Sequence, residues 1–355
     1  MSSPSIARKF IPELTCPREF GLGGMIRDLS PAKPSTISRA PLSSLGQLDL
    51  LPTELLLITL GLLDFRSLSR ISRVSLRGKE IVEALPAYKD MMEHAPEALT
   101  ALGKTRLLQH HSALLLHQTL KSDKCISCFM FGGFLFLPTS ERLCADCLYE
   151  NIALRMTTPT IAKQCFGLTG KQLQRIPIMY SIPGTYNMWL EISRKRVYRL
   201  VSVKQAKQLA IEIHGSAENV ASLMPSAPTA KMTERQFAIF KQFHEASLEP
   251  PDCDLSRLPR DEDVIVDDYC AMASIRFPFL TSTGADNGRV CRGCLFATER
   301  HARRRMPEMV MPEIVPPDVE SSRAYIGLML RLHSEEGFFQ HIQTCCGVKY
   351  ALRGE

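Results

Sequence analysis

Residues 48–94 read LDLLPTELLLITLGLLDFRSLSRISRVSLRGKEIVEALPAYKDMMEH, and this stretch decides the fold of the first part of the chain. Apolar residues recur at helical spacing after Leu51-Pro52, a turn follows at Asp64, and two more periodic segments run to Leu85. The pattern predicts three short helices. The first is apolar on nearly all sides, which is more than a helix packed on one face requires. So small a unit buries little surface alone, and we expect a partner or a neighbouring domain to cover its leucines.

The composition is that of a globular intracellular protein. The 355 residues allow two or three domains, and 45% of them are hydrophobic. The net charge of +6 is spread along the chain, which disfavours a nucleic-acid-binding face. The longest apolar run, 129–137, is too short for a membrane span, and the chain opens with no secretory pattern. We expect a cytoplasmic or nuclear protein with no membrane partner, whose twelve cysteines bind metal rather than form disulfides.

Two Cys-x-x-Cys pairs in the middle of the chain predict a first zinc site, formed by Cys125, Cys128, Cys144 and Cys147. Each pair forms a tight turn that directs two thiolates at one point, and two turns supply the four ligands of a tetrahedral ion. The phenylalanines and glycines between the pairs favour a short β-hairpin. Four sulfur ligands leave no position open for a substrate water, so this zinc is expected to be structural. The competing interpretation is four free thiols in a core.

A second zinc site is predicted from cysteines that lie far apart in the chain. Cys291 and Cys294 form one Cys-x-x-Cys turn, and His341 and Cys345 follow much later. Residues four apart share one face of a helix, so His341 and Cys345 can bind one ion. Cys346 would point away by roughly 100° and is the alternative fourth ligand. A free Cys-x-x-Cys turn beside an unrelated helix is the other interpretation.

No catalytic motif accompanies these cysteines, and we expect no enzyme. A RING-type ligase needs interleaved ligands with a Cys-x-His pair, which is absent here. The chain also lacks a glycine-rich phosphate loop, a Gly-x-Ser-x-Gly elbow and a His-Glu-x-x-His helix. Two alternatives stay open: a redox-active Cys-x-x-Cys at Cys125 or Cys291, and a nucleic-acid reader that uses the basic run from Arg300 to Arg305.

The expected fold class is mainly α with small β elements, an α+β protein. Strands are predicted over 186–192 and 197–203 with a loop between them, and a helix begins at Ser202 and ends near Gly215. Four regions follow from these patterns. They are a disordered or loosely attached segment (1–46), the three-helix unit (47–95), a helical connection with the first zinc knuckle and a small α/β unit (96–215), and a helical region with the second zinc site (216–355).

The three-helix unit resembles an F-box. The resemblance rests on Leu-Pro-x-Glu-Leu from Leu51, the aliphatic run that ends at Leu62-Leu63, and Asp-Phe-x-Ser-Leu from Asp64. It implies that residues 47–95 dock on a Skp-type adaptor, which connects them to a cullin scaffold. The adaptor contacts are then expected at Leu51, Pro52, Leu55, Ile58, Leu62 and Leu68. An ordinary buried helical hairpin is the alternative.

The remainder of the chain is similar to a group of filamentous-fungal F-box proteins that carry Cys-x-x-Cys knuckles. The matching stretches include Phe136-Leu137-Pro138-Thr139 between the first two knuckles and the Gly337-Phe-x-x-His341 helix, and together they cover about two thirds of the chain. The family's Ala-x-x-Leu-Trp ending is only partly present. The resemblance implies a substrate-receptor subunit of an SCF-type cullin ubiquitin ligase that holds two structural Zn²⁺ ions and binds an unidentified protein target. The alternative is a zinc-stapled interaction module that acts outside a ligase.

Overall fold

The computed structural model describes residues 8–16, 29–31, 44–187, 191–229, 232–248, 269–302 and 331–353. Helices dominate these ranges, and the strands are short and antiparallel, so the predicted α+β class is confirmed. None of the helices in this described part of the chain is both long and apolar enough to cross a membrane.

The helices are numbered here in chain order. They are α1 (Ile11–Leu14), α2 (Thr53–Gly61), α3 (Phe65–Val74), α4 (Leu76–Ala84), α5 (Pro86–His94), α6 (Pro96–Lys104), α7 (Ala113–Leu120), α8 (Ala145–Glu150), α9 (Pro159–Phe166), α10 (Gly170–Leu173), α11 (Val203–His214), α12 (Ala217–Ala221), α13 (Glu234–Glu245), α14 (Tyr269–Met272), α15 (Arg292–Ala302), α16 (Glu335–Thr344) and α17 (Cys346–Arg353).

The strands are numbered in the same way. They are β1 (Phe134–Phe136), β2 (Glu141–Leu143), β3 (Met156–Thr157), β4 (Met179–Tyr180), β5 (Gly184–Asn187), β6 (Glu191–Arg194), β7 (Arg199–Ser202), β8 (Ser274–Arg276), β9 (Phe279–Thr281), β10 (Gly284–Asp286), β11 (Arg289–Val290) and β12 (Leu332–His333).

Three short helices, α2, α3 and α4, occupy the stretch for which the sequence predicts them. Asp64 caps α3 by accepting hydrogen bonds from the backbone N–H groups of Arg66 and Ser67, and Ser75 caps α4 by accepting one from Gly78. Such caps satisfy N–H groups that have no partner within the helix, and they fix the turns between the helices. The chain therefore turns sharply twice in about thirty residues, and each of the three helices has the length of an ordinary short helix.

The main core extends from these helices to the first pair of cysteine turns. Leu68, Val82, Met91, Leu102 and Leu116 are completely buried in it, and so are the three residues of β1. The sheet beside this core has the strand order β2-β1-β8, with both pairs antiparallel. It therefore joins strands from the two sequence ranges 96–215 and 216–355.

A second, smaller core lies between α9, α11 and α13, where Phe166, Val201, Leu209 and Phe240 pack together. The strand prediction in this region was wrong in its bounds, because the predicted strand over 186–192 takes in parts of two strands and the predicted loop contains the end of the second. Residues 191–194 pair back on 184–187 as the hairpin β5–β6, and β7 pairs instead with β3 and β4. Aliphatic residues in β7 are buried from both sides, which the sequence pattern of a simple hairpin does not reveal.

Candidate metal centres and an exposed apolar helix

The first metal centre is built from two turns that flank the β1–β2 hairpin. In one turn Phe129 donates its N–H to the carbonyl of Cys125 at 2.9 Å, and Phe129 adopts a left-handed φ of 63°. In the other turn Cys144 caps α8, and its Sγ accepts the N–H of Cys147 at 3.3 Å. These local hydrogen bonds direct all four sulfurs of the two Cys-x-x-Cys pairs toward one point.

The spacing of those sulfurs fits a tetrahedral ion. The ligand atoms of Cys125, Cys128, Cys144 and Cys147 lie within 4.8 Å of one another, and all four residues are buried. The Sγ atoms of Cys128 and Cys144 are 3.6 Å apart, whereas a Zn–S distance of about 2.3 Å gives tetrahedral edges of about 3.8 Å. A disulfide would require about 2.05 Å. A redox-active pair needs an accessible thiol, which this cluster does not offer.

The thiols of the first centre perturb one another strongly. Hydrogen bonds from Cys128, Cys144 and Cys147 lower the pKa of Cys125, while interaction with Cys125 raises the pKa of Cys144 and of Cys147. Burial adds to the rise at both of these residues. The pKa of each thiol thus depends on its three neighbours, and all four side chains are buried. A divalent cation would bind the four sulfurs as thiolates and release their protons.

Arg142 forms hydrogen bonds between the β1–β2 hairpin of the first centre and the segments packed around it. Its buried guanidinium donates to the backbone carbonyls of Gly132 at 2.5 Å, Phe277 at 3.0 Å, Pro278 at 2.5 Å and Thr119 at 3.1 Å. Burial lowers the pKa of Arg142 to about 9. The backbone carbonyl of Arg142 accepts the N–H of Ile126, within the first cysteine turn, at 2.9 Å. The side chain of Arg142 therefore connects α7, Gly132 and the segment that follows β8, and the main chain of the same residue contacts the cysteine turn.

The second metal centre depends on a close approach between two helices. Cys291 precedes α15 and Cys294 lies in its first turn, while His341 lies in the last turn of α16 and Cys345 caps that helix. A Cβ added to Gly347 would lie 2.0 Å from the Gly293 carbonyl oxygen, so only glycine fits where α17 meets α15. This contact brings the two halves of the centre together.

The donor atoms of the second centre also have tetrahedral spacing. The Sγ of Cys345 lies 3.8 Å from the Sγ atoms of both Cys291 and Cys294, and Cys294 Sγ lies 3.2 Å from His341 Nε2. Hydrogen bonds from Cys294 and Cys345 lower the pKa of Cys291 to about 4. Cys346 begins α17 outside this group of four.

A buried histidine supports the second centre from β12. The ring of His333 stacks on that of His341, with centroids 4.3 Å apart. Burial, together with the nearby His341, lowers the pKa of His333 to about 3. The neutral His333 ring thus holds the imidazole of His341 in place beside Cys294. Neither His333 nor Arg142 has a sequence signal, because each acts through contacts between distant segments.

Helix α2 is apolar on two opposite faces. Leu56 and Leu60 are buried in the main core, whereas Leu55, Ile58 and Leu62 are 52%, 65% and 61% exposed. These three residues have the i, i+3, i+7 spacing of one helical stripe. Leu51 and Pro52, just before the helix, are exposed as well. We call Leu51, Pro52, Leu55, Ile58 and Leu62 the α2 stripe.

Leu68, the remaining residue expected to contact an adaptor, lies elsewhere. It is 0% exposed and belongs to the main core, so the expectation of a surface contact at Leu68 does not fit the structure. The physical reason is the turn at Asp64, which directs this face of α3 inward. In the basic run from Arg300, residues 303–305 lie outside the described part of the chain.

Comparisons with protein-family models, with curated proteins and with solved structures find no match for this chain.

Proposed function

We propose that this chain is an F-box-type substrate receptor of a cullin ubiquitin ligase, which docks through the α2 stripe on a Skp-type adaptor and presents its metal-stapled remainder to a protein target. The observation that carries the proposal is the stripe itself. Large apolar side chains along a short helix are exposed at 52–65%, although the opposite face of the same helix is buried.

The exposure of the α2 stripe is costly unless a partner covers it. Covering one leucine or isoleucine completely stabilises a complex by about 1.5–3 kcal/mol, and the stripe offers four such side chains. Contiguous apolar surface of this kind marks binding sites on soluble proteins. The side chains project from a helix whose opposite face is packed in the main core, so little conformational entropy is lost when they dock.

Both cysteine clusters are proposed to hold Zn²⁺. Thiolate and imidazole are the ligands that zinc prefers, and closed four-ligand sites are structural. The ions would fix the turns that carry Cys125, Cys144 and Cys291 and would supply no chemistry of their own. The proposed role of the zinc-stapled region is therefore to hold a target-binding surface in shape.

Co-purification with a fungal Skp-type adaptor tests the adaptor proposal. The full chain should recover the adaptor in a one-to-one ratio, and the Leu55→Glu/Ile58→Glu variant should lose at least about 100-fold in affinity, since two anchors become charged. Leu223→Glu is the matched control, because Leu223 is 42% exposed but lies near Gly167, at the end of α9 and away from α2.

Two results would overturn the adaptor proposal. One is no adaptor recovery with a folded, metal-loaded chain. The other is equal recovery with the stripe variant and with the Leu223 control.

A further inference from the structure

Residues 8–16, which the sequence places in a loosely attached segment, lie across the second metal centre. Ile11 and Leu14 are three apart on α1, so they share one face of the helix. Both are buried in a cluster that contains ligands of the centre and the apolar side chains of α16 and α17. The other members of the cluster are Cys291, Cys294, Phe338, Ile342, Cys345 and Val348.

The two ends of this segment are held by polar contacts. Thr15 forms a β-bridge with Cys291, and the N–H of Cys16 donates to the carbonyl of Val290 at 3.0 Å. At the other end, Arg8 pairs with Glu336 at 2.6 Å, and its guanidinium lies 4.7 Å from the ring centroid of Phe339. Main-chain pairing at a strand edge with side chains in alternate pockets is a common mode of peptide recognition.

The groove is larger than the segment that fills part of it. A cleft of about 680 Å³ continues beside the segment, and its walls include Arg8, Thr15, Cys16, Arg276, Asp286 and Arg289. A volume of this size matches ordinary ligand-binding clefts. A second cavity of about 360 Å³ lies against Ile11, Pro12 and Arg289. Among the residues that the structure describes, the segment therefore borders a cavity on more than one side.

We propose that the groove of the second metal centre is a peptide-binding site and that residues 8–16 are its built-in occupant. The partner that it fits is a segment of another protein with the same chemistry. That segment carries a basic residue, aliphatic residues three and six positions later, and then two extended residues that pair with Val290 and Cys291. Glu336 selects the basic residue, and the pocket lined by Phe338 and Ile342 selects the aliphatic pair.

The covalent connection explains how a short segment stays bound and can still be displaced. A tethered segment binds at an effective concentration that reaches the millimolar range for a flexible linker. An affinity too weak to hold the free peptide is then sufficient within the chain. A competing segment displaces it when its concentration or affinity exceeds that of the tethered copy. Peptide binding here does not require the α2 stripe or an adaptor.

The test uses the full chain and a labelled peptide of residues 7–17 with Cys16→Ser. In the Ile11→Glu/Leu14→Glu variant the built-in occupant is ejected, and the peptide should bind at least ten times more tightly than it binds the wild type. Phe10→Glu is the matched control, since Phe10 is exposed on the same segment and its chain should behave as the wild type does. A peptide that carries both glutamates should not bind the opened variant.

Metal content and hydrogen exchange make the outcome decisive. An opened variant with two metals per chain that binds no peptide up to about 1 mM would overturn the proposal, because tethering works in that range. If the variant loses a metal, the proposal is tested instead by hydrogen exchange in the wild type. Unlabelled peptide at about 1 mM should speed exchange of the Cys16 amide, and unchanged exchange would overturn the proposal.

Discussion

The two metal centres use similar ligands but are assembled in different ways. The first takes all four ligands from residues 125–147 and lies in the main core. The second joins cysteines near residue 291 to a helix end near residue 345, and it lies in a small cluster that α1 completes. A centre with local ligands can be recognised from spacing, whereas a centre with distant ligands depends on the fold around it. The comparison also predicts that losing each centre has different consequences.

The largest effect is expected from breaking the first centre. Cys144→Ser removes a ligand from the main core, where metal binding contributes folding free energy directly. Structural zinc sites bind with about 10–16 kcal/mol, which is comparable to the usual total stability of about 5–15 kcal/mol. We expect the variant to lose cooperative unfolding as measured by circular dichroism. A variant that still melts sharply near the wild-type temperature would show that the first centre is dispensable.

The next largest effect is expected from removing Arg142, the buried side chain beside the first centre. Arg142→Met leaves several buried carbonyls without a donor, each at a cost of about 1–3 kcal/mol. We expect the free energy of unfolding to fall by about 3–5 kcal/mol in urea titrations while the metal content is retained. The control is Arg199→Met, at an exposed position on β7, which should change stability by less than about 0.5 kcal/mol. Equal losses in the two variants would remove Arg142 from this role.

The third effect is local, and neighbouring cysteines provide its control. Cys345→Ser should open the second centre and release residues 8–16, whose exchange protection should vanish while the main core stays protected. Cys346→Ser should leave both unchanged, because Cys346 lies outside the ligand group. Loss of protection in the Cys346→Ser variant alone would mean that Cys346, and not Cys345, is the fourth ligand.

The smallest effect tests how the segment is anchored. Arg8→Ala removes a solvent-exposed ion pair with Glu336, and such pairs contribute about 0–1 kcal/mol. Ile11→Ala removes a buried side chain and should cost about 2–5 kcal/mol of local stability. The Cys16 amide should therefore exchange faster in Ile11→Ala than in Arg8→Ala. The opposite ranking would mean that charge, and not apolar burial, holds the segment.

Sequence reasoning succeeded where chemistry is encoded locally. The three helices after Leu51 follow from periodicity and from the turn at Asp64, and the two clusters follow from cysteine spacing. The apolar excess of α2 was also readable, since both of its faces are leucine-rich.

Apart from the second cluster, whose cysteines and histidine indicate their own grouping, contacts between distant segments could not be predicted from the sequence. The pairing of β1 with β8 joins residues that periodicity treats separately, and β7 pairs with β3 and β4, which no local pattern indicates. The groove that receives Ile11 and Leu14 could not be predicted, because a four-residue helix has too few positions to show a period. The inward orientation of Leu68 depends on the turn before it, which a helical stripe alone does not fix.

Counting metal ions per chain by native mass spectrometry tests the two-centre description most directly. The wild type should carry two zinc ions, Cys345→Ser one, and Cys346→Ser two, because ligand groups of four hold one ion each. A folded wild type that carries one ion or none, or a Cys345→Ser variant that keeps both, would contradict it.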